Sequence, residues 1–138
     1  MVEHKRNSWI ESGRSADQSL EKKIEQYEIG LCGELAASYL FNVWPLAISG
    51  DDMMDYDIVI DDMKFDVKAT DLKGDDIHMT INPNCLDKEV DAFVMFQKVH
   101  DWAYKYRGRI SVARVRQFTP EMRGGTSPCY YIPMKALK

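Results

Sequence analysis

Residues 56–70, YDIVIDDMKFDVKAT, constrain this chain more than any other stretch. Two apolar, β-branched runs flank Asp61-Asp62, which predicts two antiparallel strands joined by a two-residue turn. Aspartate suits such a turn because it visits left-handed backbone angles. With Ile60 facing Met63, counting back sets Asp57 opposite Asp66, their Cβ atoms about 4.5–5.5 Å apart. A three-residue loop would shift that register. Strand alternation puts Asp66, Lys68 and Thr70 on one face, and Phe65, Val67 and Ala69 on the other, toward a core. Two opposed carboxylates repel one another. A hard divalent cation removes the conflict, and Mg²⁺ takes one or two carboxylates while keeping waters for a substrate. Lys68 lies one pleat from Asp66, where its ammonium can orient an attacking water and offset charge at a phosphate.

Charge is distributed unevenly about this hairpin. The net charge is −4, yet residues 51–91 hold thirteen acidic residues against four lysines. Residues 98–123 reverse the balance, with Lys98, Lys105, Arg107, Arg109, Arg114, Arg116 and Arg123 against Asp101 and Glu121. Trp102, Tyr104 and Tyr106 are interleaved with these cations. A metal site beside a phosphate-binding surface would have this pattern, and so would a solvated sheet edge.

The flanking segments set the fold class. Residues 15–42 carry the strongest helical signal, with Ser15 or Asp17 as N-cap and Leu20, Ile24, Tyr27, Leu31, Leu35 and Tyr39 as an apolar stripe. The helix is expected to stop near Asn42, ahead of Trp44-Pro45. Gly33, costly inside a helix, is expected where the sheet comes close. "PLAIS" reads as a short strand and "GDDMMD" as a loop. "DDIHMTI" is expected to extend the sheet, and "NPNCLDKE" to be irregular or a helical turn. "VDAFVMFQKVH" and "YRGRISVARVRQF" read as long strands, with a last short one around 130–132. One helix followed by several strands is an α+β pattern, a mixed central sheet with the long helix on one face. The 138 residues fit a single domain, with 1–16 expected to be flexible.

The hairpin pattern D-x8-D-V-K resembles the PD-(D/E)XK nuclease superfamily, whose fold is the restriction-endonuclease-like one. "CGELAASYL" is similar to the superfamily's helix, and Glu34 matches its glutamate. Asp57 matches the first aspartate, while Asp66 and Lys68 match the (D/E)-x-K. Tyr56 stands where the superfamily usually has proline. The likeness spans residues 25–70, with support from the strand "DAFVMF". It implies a Mg²⁺-dependent DNA endonuclease that hydrolyses phosphodiester bonds, with Mn²⁺ as a substitute cation. Asp57, Asp66 and the Val67 carbonyl would hold the metal, Glu34 a second metal or a water, and Lys68 would position the nucleophile. Lys98, Lys105, Arg107, Arg109, Arg114 and Arg116 would contact nucleic acid, with RNA left open. Small phage or mobile-element members are resembled by the segment "RGRISVAR" and the tail, which would put the protein in a host cytoplasm, with a homodimer open.

Other classes find less support. No apolar run approaches the roughly 18 residues of a membrane span, and residues 1–18 lack the apolar stretch expected of a secretory signal. Cys32, Cys85 and Cys129 form no C-x-x-C pair, the pattern of three reduced thiols. Asp51, Asp52 and Asp55 lack EF-hand spacing, the three histidines are scattered, and no P-loop or G-x-S-x-G occurs. Two alternatives to an enzyme stay open: a non-catalytic module binding nucleic acid or protein on the same fold, and an acidic mimic of nucleic acid.

Overall fold

The computed structural model describes residues 19–43, 55–123, 125 and 127–138. The expected strand "PLAIS" and most of the acidic loop after it lie outside these residues, as do residues 1–16. Helix α1 spans Leu20–Phe41. Its N-cap is Ser19, whose hydroxyl accepts the Lys22 N–H at 3.3 Å. The proposed caps Ser15 and Asp17 lie outside the described residues. Asn42 ends the helix in a left-handed conformation (φ 54°), its N–H turned back to the Ser38 and Tyr39 carbonyls.

Strands β1 (Ile58–Ile60) and β2 (Met63–Thr70) form the expected hairpin, with Ile60 paired to Met63 and Ile58 to Phe65. Asp61 and Asp62 take φ of 49° and 65°, the left-handed pair that a tight two-residue turn needs. Strand β4 (Ala92–His100) lies parallel to β2, and β5 (Ala103–Ser111) pairs antiparallel with β4. The result is a mixed four-stranded sheet in the order β1-β2-β4-β5.

Three expectations are corrected. "DDIHMTI" does not extend this sheet: β3 (His78–Ile81) pairs with β6 (Tyr130–Pro133) in a separate two-stranded sheet. Its alternate side chains, Met79 and Ile81, pack with Phe93, Met95, Ile110 and Ile132 over the central sheet. "YRGRISVARVRQF" is not one strand, because the Ser111 hydroxyl caps the Arg114 N–H at 3.1 Å and starts a one-turn helix, α2 (Val112–Val115). Of the expected stripe Tyr27 is buried, but Leu20, Leu35 and Tyr39 do not lie on the buried face of α1. Those side chains are exposed, whereas Ile29, Gly33 and Ala37 are buried. The reason is closeness at one point: a Cβ at Gly33 would lie 2.6 Å from the Ala69 Cβ, so the helix docks there through a residue without a side chain.

The two sheet faces thus have separate cores. Phe65, Val67, Ala92, Val94 and Phe96 pack toward Ala37 of α1. Phe93, Met95 and Ile110 pack toward β3 and β6.

Candidate active site

The side chains that alternate away from α1 on β2 are Asp66 and Lys68. Both enter the second, mostly apolar layer. Asp66 is registered against Phe93 and Lys68 against Met95. The Lys68 ammonium lies 3.0 Å from Asp66 Oδ2 and 5.9 Å from the centre of the Phe93 ring. Asp57 sits one residue before β1, where the paired register has ended at Ile58 and Phe65, and its N–H donates to the Phe65 carbonyl at 2.9 Å. The Asp57 carboxyl comes within hydrogen-bond reach of the Asp66 carboxyl, without a strand pairing of the two residues. Its Oδ2 accepts the Val67 N–H at 2.8 Å, which holds the carboxylate against β2.

The electrostatics follow from this burial. Burial pushes the Asp66 carboxyl up to about 7, and the Asp57 carboxylate within hydrogen-bond reach adds to the rise, while Lys68 opposes it. Burial pulls the Lys68 ammonium down, but Asp66, Cys85 and Asp57 together outweigh burial and leave it raised. Lys68 is therefore a cation at neutral pH.

One neighbour had no signal in the sequence. The 3-10 turn Pro83–Asp87, started by the Asn82 side chain accepting the Asn84 N–H at 2.9 Å, brings Cys85 Sγ to 3.9 Å from Lys68 Nζ. The two residues are seventeen positions apart, and only tertiary packing brings them together.

Glu34 is buried on α1, next to Gly33, and its carbonyl accepts the Ser38 hydroxyl at 2.8 Å. It belongs to the helix layer, across the sheet from Asp66 and Lys68. Val67 is buried between the layers and gives its N–H to Asp57. Among the described residues, no group of three or more His, Cys, Asp or Glu side chains is arranged to hold a metal. What converges is a pair of carboxylates and a lysine.

The basic residues do not form one strip. Lys98 pairs with Asp101 at 3.3 Å, and Lys105 is exposed on β5. Arg107 falls at a register shift between β4 and β5, a bulge that turns its guanidinium onto Gln97 Oε1 (3.1 Å) and Asp75 (2.9 Å). Gln97 is buried and binds the Leu72 and Gly74 carbonyls, so Arg107 helps to lock the loop after β2. Arg116 donates to the Leu86 carbonyl at 2.9 Å, bracing the 3-10 turn that carries Cys85. Arg107 and Arg116 thus have structural partners, while Arg109 and Arg114 face a cleft described below.

No helix among the described residues is long and apolar enough to cross a membrane. Comparison with family models, with curated proteins and with solved structures gives no match.

Proposed function

We propose that this protein is a divalent-metal-dependent endonuclease that hydrolyses DNA phosphodiester bonds, on a restriction-endonuclease-like version of its α+β fold. The observation that carries this is the pair of carboxyls, Asp57 and Asp66, within hydrogen-bond reach of one another, with Lys68 3.0 Å from Asp66. A buried ion pair is weak support for stability, since apolar residues of similar volume often do as well. Two apposed carboxyls, one raised to about 7, are the expected state of a cation site without its cation.

In this reading Asp57 and Asp66 would hold Mg²⁺ or Mn²⁺ with the Val67 carbonyl, and Glu34, across the sheet on α1, is left out of that set. The bound cation supplies Lewis-acid chemistry. Lys68 keeps its proton, so it acts through charge. It orients the attacking water and offsets the charge that develops on the phosphate, and it is not a general base. Cys85 and Asp66 fix where its ammonium sits.

The test is nicking of supercoiled plasmid, and cleavage of linear, branched and single-stranded DNA and of RNA, in Mg²⁺, Mn²⁺ and EDTA. Cation-dependent cutting is expected. No cutting of any form by folded wild-type protein would end the enzymatic reading. A non-catalytic binding module on the same fold then takes its place, favoured by the mutual neutralisation of Asp66 and Lys68.

A further inference from the structure

The two cations on the far side of β5 gather a third. Arg109 and Arg114 line a cleft of about 340 Å³ with Lys138, over a floor that includes Met63, Ala92 and Ile110. None of the lining side chains is acidic. Among the described residues the six ion pairs use Lys64, Lys68, Lys98, Arg107, Arg116 and Arg123, and none of the three cleft cations.

The fold holds these cations in place by other means. Arg109 exchanges both backbone hydrogen bonds with Lys138, each at 3.0 Å, which ties the tail to β5. Gly108 makes that approach feasible. Its φ is +122°, and a Cβ there would lie 2.7 Å from the Leu137 Cβ and 3.0 Å from the Lys138 carbonyl. Arg114 is set by the Ser111 cap, and its guanidinium is braced by Gln117 Oε1 and by the Phe118 ring, 5.4 Å away. Cations gathered in one cleft repel one another, a cost that a bound anion lowers.

We infer that this cleft binds a phosphate group, as a mono- or diester. The cations supply charge, the guanidinium forks match phosphate oxygens, and the apolar floor accepts the organic part of an ester. Arg109 is registered to Val94, which packs toward α1, so it leaves the sheet on the face opposite Asp66 and Lys68. That the ester belongs to a nucleic-acid strand rests on the nuclease reading, whereas the phosphate chemistry does not.

Two measurements on the full chain test this. Inorganic phosphate titrated into isotope-labelled protein is expected to shift the Gly108, Arg109, Ser111 and Arg114 amides saturably, and not in Arg109→Gln/Arg114→Gln. A fluorescent oligonucleotide in EDTA is expected to bind the double variant at least about 10-fold more weakly, with the salt slope flatter by about 1.5. The single variant Lys138→Gln, at an exposed position, is expected to give a smaller loss in the same direction. Phosphate shifts with unchanged oligonucleotide affinity support a small phosphate ester and overturn the strand assignment. No phosphate shifts and unchanged oligonucleotide affinity overturn the cleft altogether. Plasmid nicking run in parallel keeps the two ideas apart. Binding without cutting ends the nuclease and leaves the cleft, and cutting with a silent double variant does the reverse.

Discussion

The two faces of β2 are built from alternate residues of one strand and obey different rules. Phe65 and Val67 turn toward α1 and join an apolar layer so close that Gly33 admits no side chain. Asp66 and Lys68 turn the other way, into a layer that is just as apolar in Phe93, Met95 and Ile110. On the first face burial and stability point the same way. On the second, burial works against the residues, raising the Asp66 carboxyl and leaving an ion pair that contributes little to folding. One face holds the fold together, and the other is where chemistry is proposed.

The sharpest way to break that comparison is to remove function from the charged face while leaving the fold. Lys68→Ala is expected to slow cleavage by roughly 10²–10⁴-fold, the scale of a positioned electrostatic or proton-transfer group, and to retain cation binding. Asp66→Asn is expected to lose rate and cation affinity together, because the ligand charge goes. Both should give wild-type circular dichroism. Purified Lys68→Ala that nicks plasmid at the wild-type rate would remove Lys68 from the mechanism.

A smaller effect comes from pH without added cation. The Asp66 carboxyl is raised from 3.8 to about 7 on folding. Its contribution to stability is therefore fully present below about 3.8 and is lost as pH rises to about 7. Between pH 5 and pH 8 the loss attributable to Asp66 is roughly 2–3 kcal/mol. Urea unfolding of wild type and Asp66→Asn at both pH values isolates it, since the variant has no proton to release there. Parallel pH profiles for the two proteins would mean that Asp66 is not apposed to Asp57 in a dry layer.

How much of this was legible in the sequence follows the same division. The hairpin register from Ile58 to Phe65 could be counted because Asp61-Asp62 leaves only a short turn, and it brings the Asp57 and Asp66 carboxyls near one another. The buried side of α1 was not, because apolar periodicity favours Leu35 and Tyr39, while the helix is docked through Gly33 and Ala37. Hydrophobicity measures what a residue gains by burial, and close approach is decided by what it lacks. β3 reads as one more strand of the central sheet, since a strand's pattern does not say which edge it will pair with. Cys85 beside Lys68, and the bulge that commits Arg107 to Gln97, depend on contacts between distant segments and leave no local trace.

The smallest predicted effects test the tight face through two glycines three residues apart. At Gly33 a Cβ would meet the Ala69 Cβ at 2.6 Å, with the Val67 side chain at 3.8 Å. Neither neighbour can swing away, since Ala69 has no further side-chain atoms and Val67 is stiff at χ1. Gly33→Ala must push α1 from β2 and is expected to cost about 1–3 kcal/mol, as overpacking does. At Gly30, on the same helix, a Cβ would meet nothing within 4 Å. There only the helix preference is left, and Gly30→Ala is expected to stabilise by about 0.5–1 kcal/mol. The two substitutions make the same chemical change, so opposite signs in thermal or urea unfolding must come from the sheet beneath. A stabilising Gly33→Ala would mean that α1 does not rest on Ala69 as closely as described. The small residues of its buried face would then have no packing reason to be small.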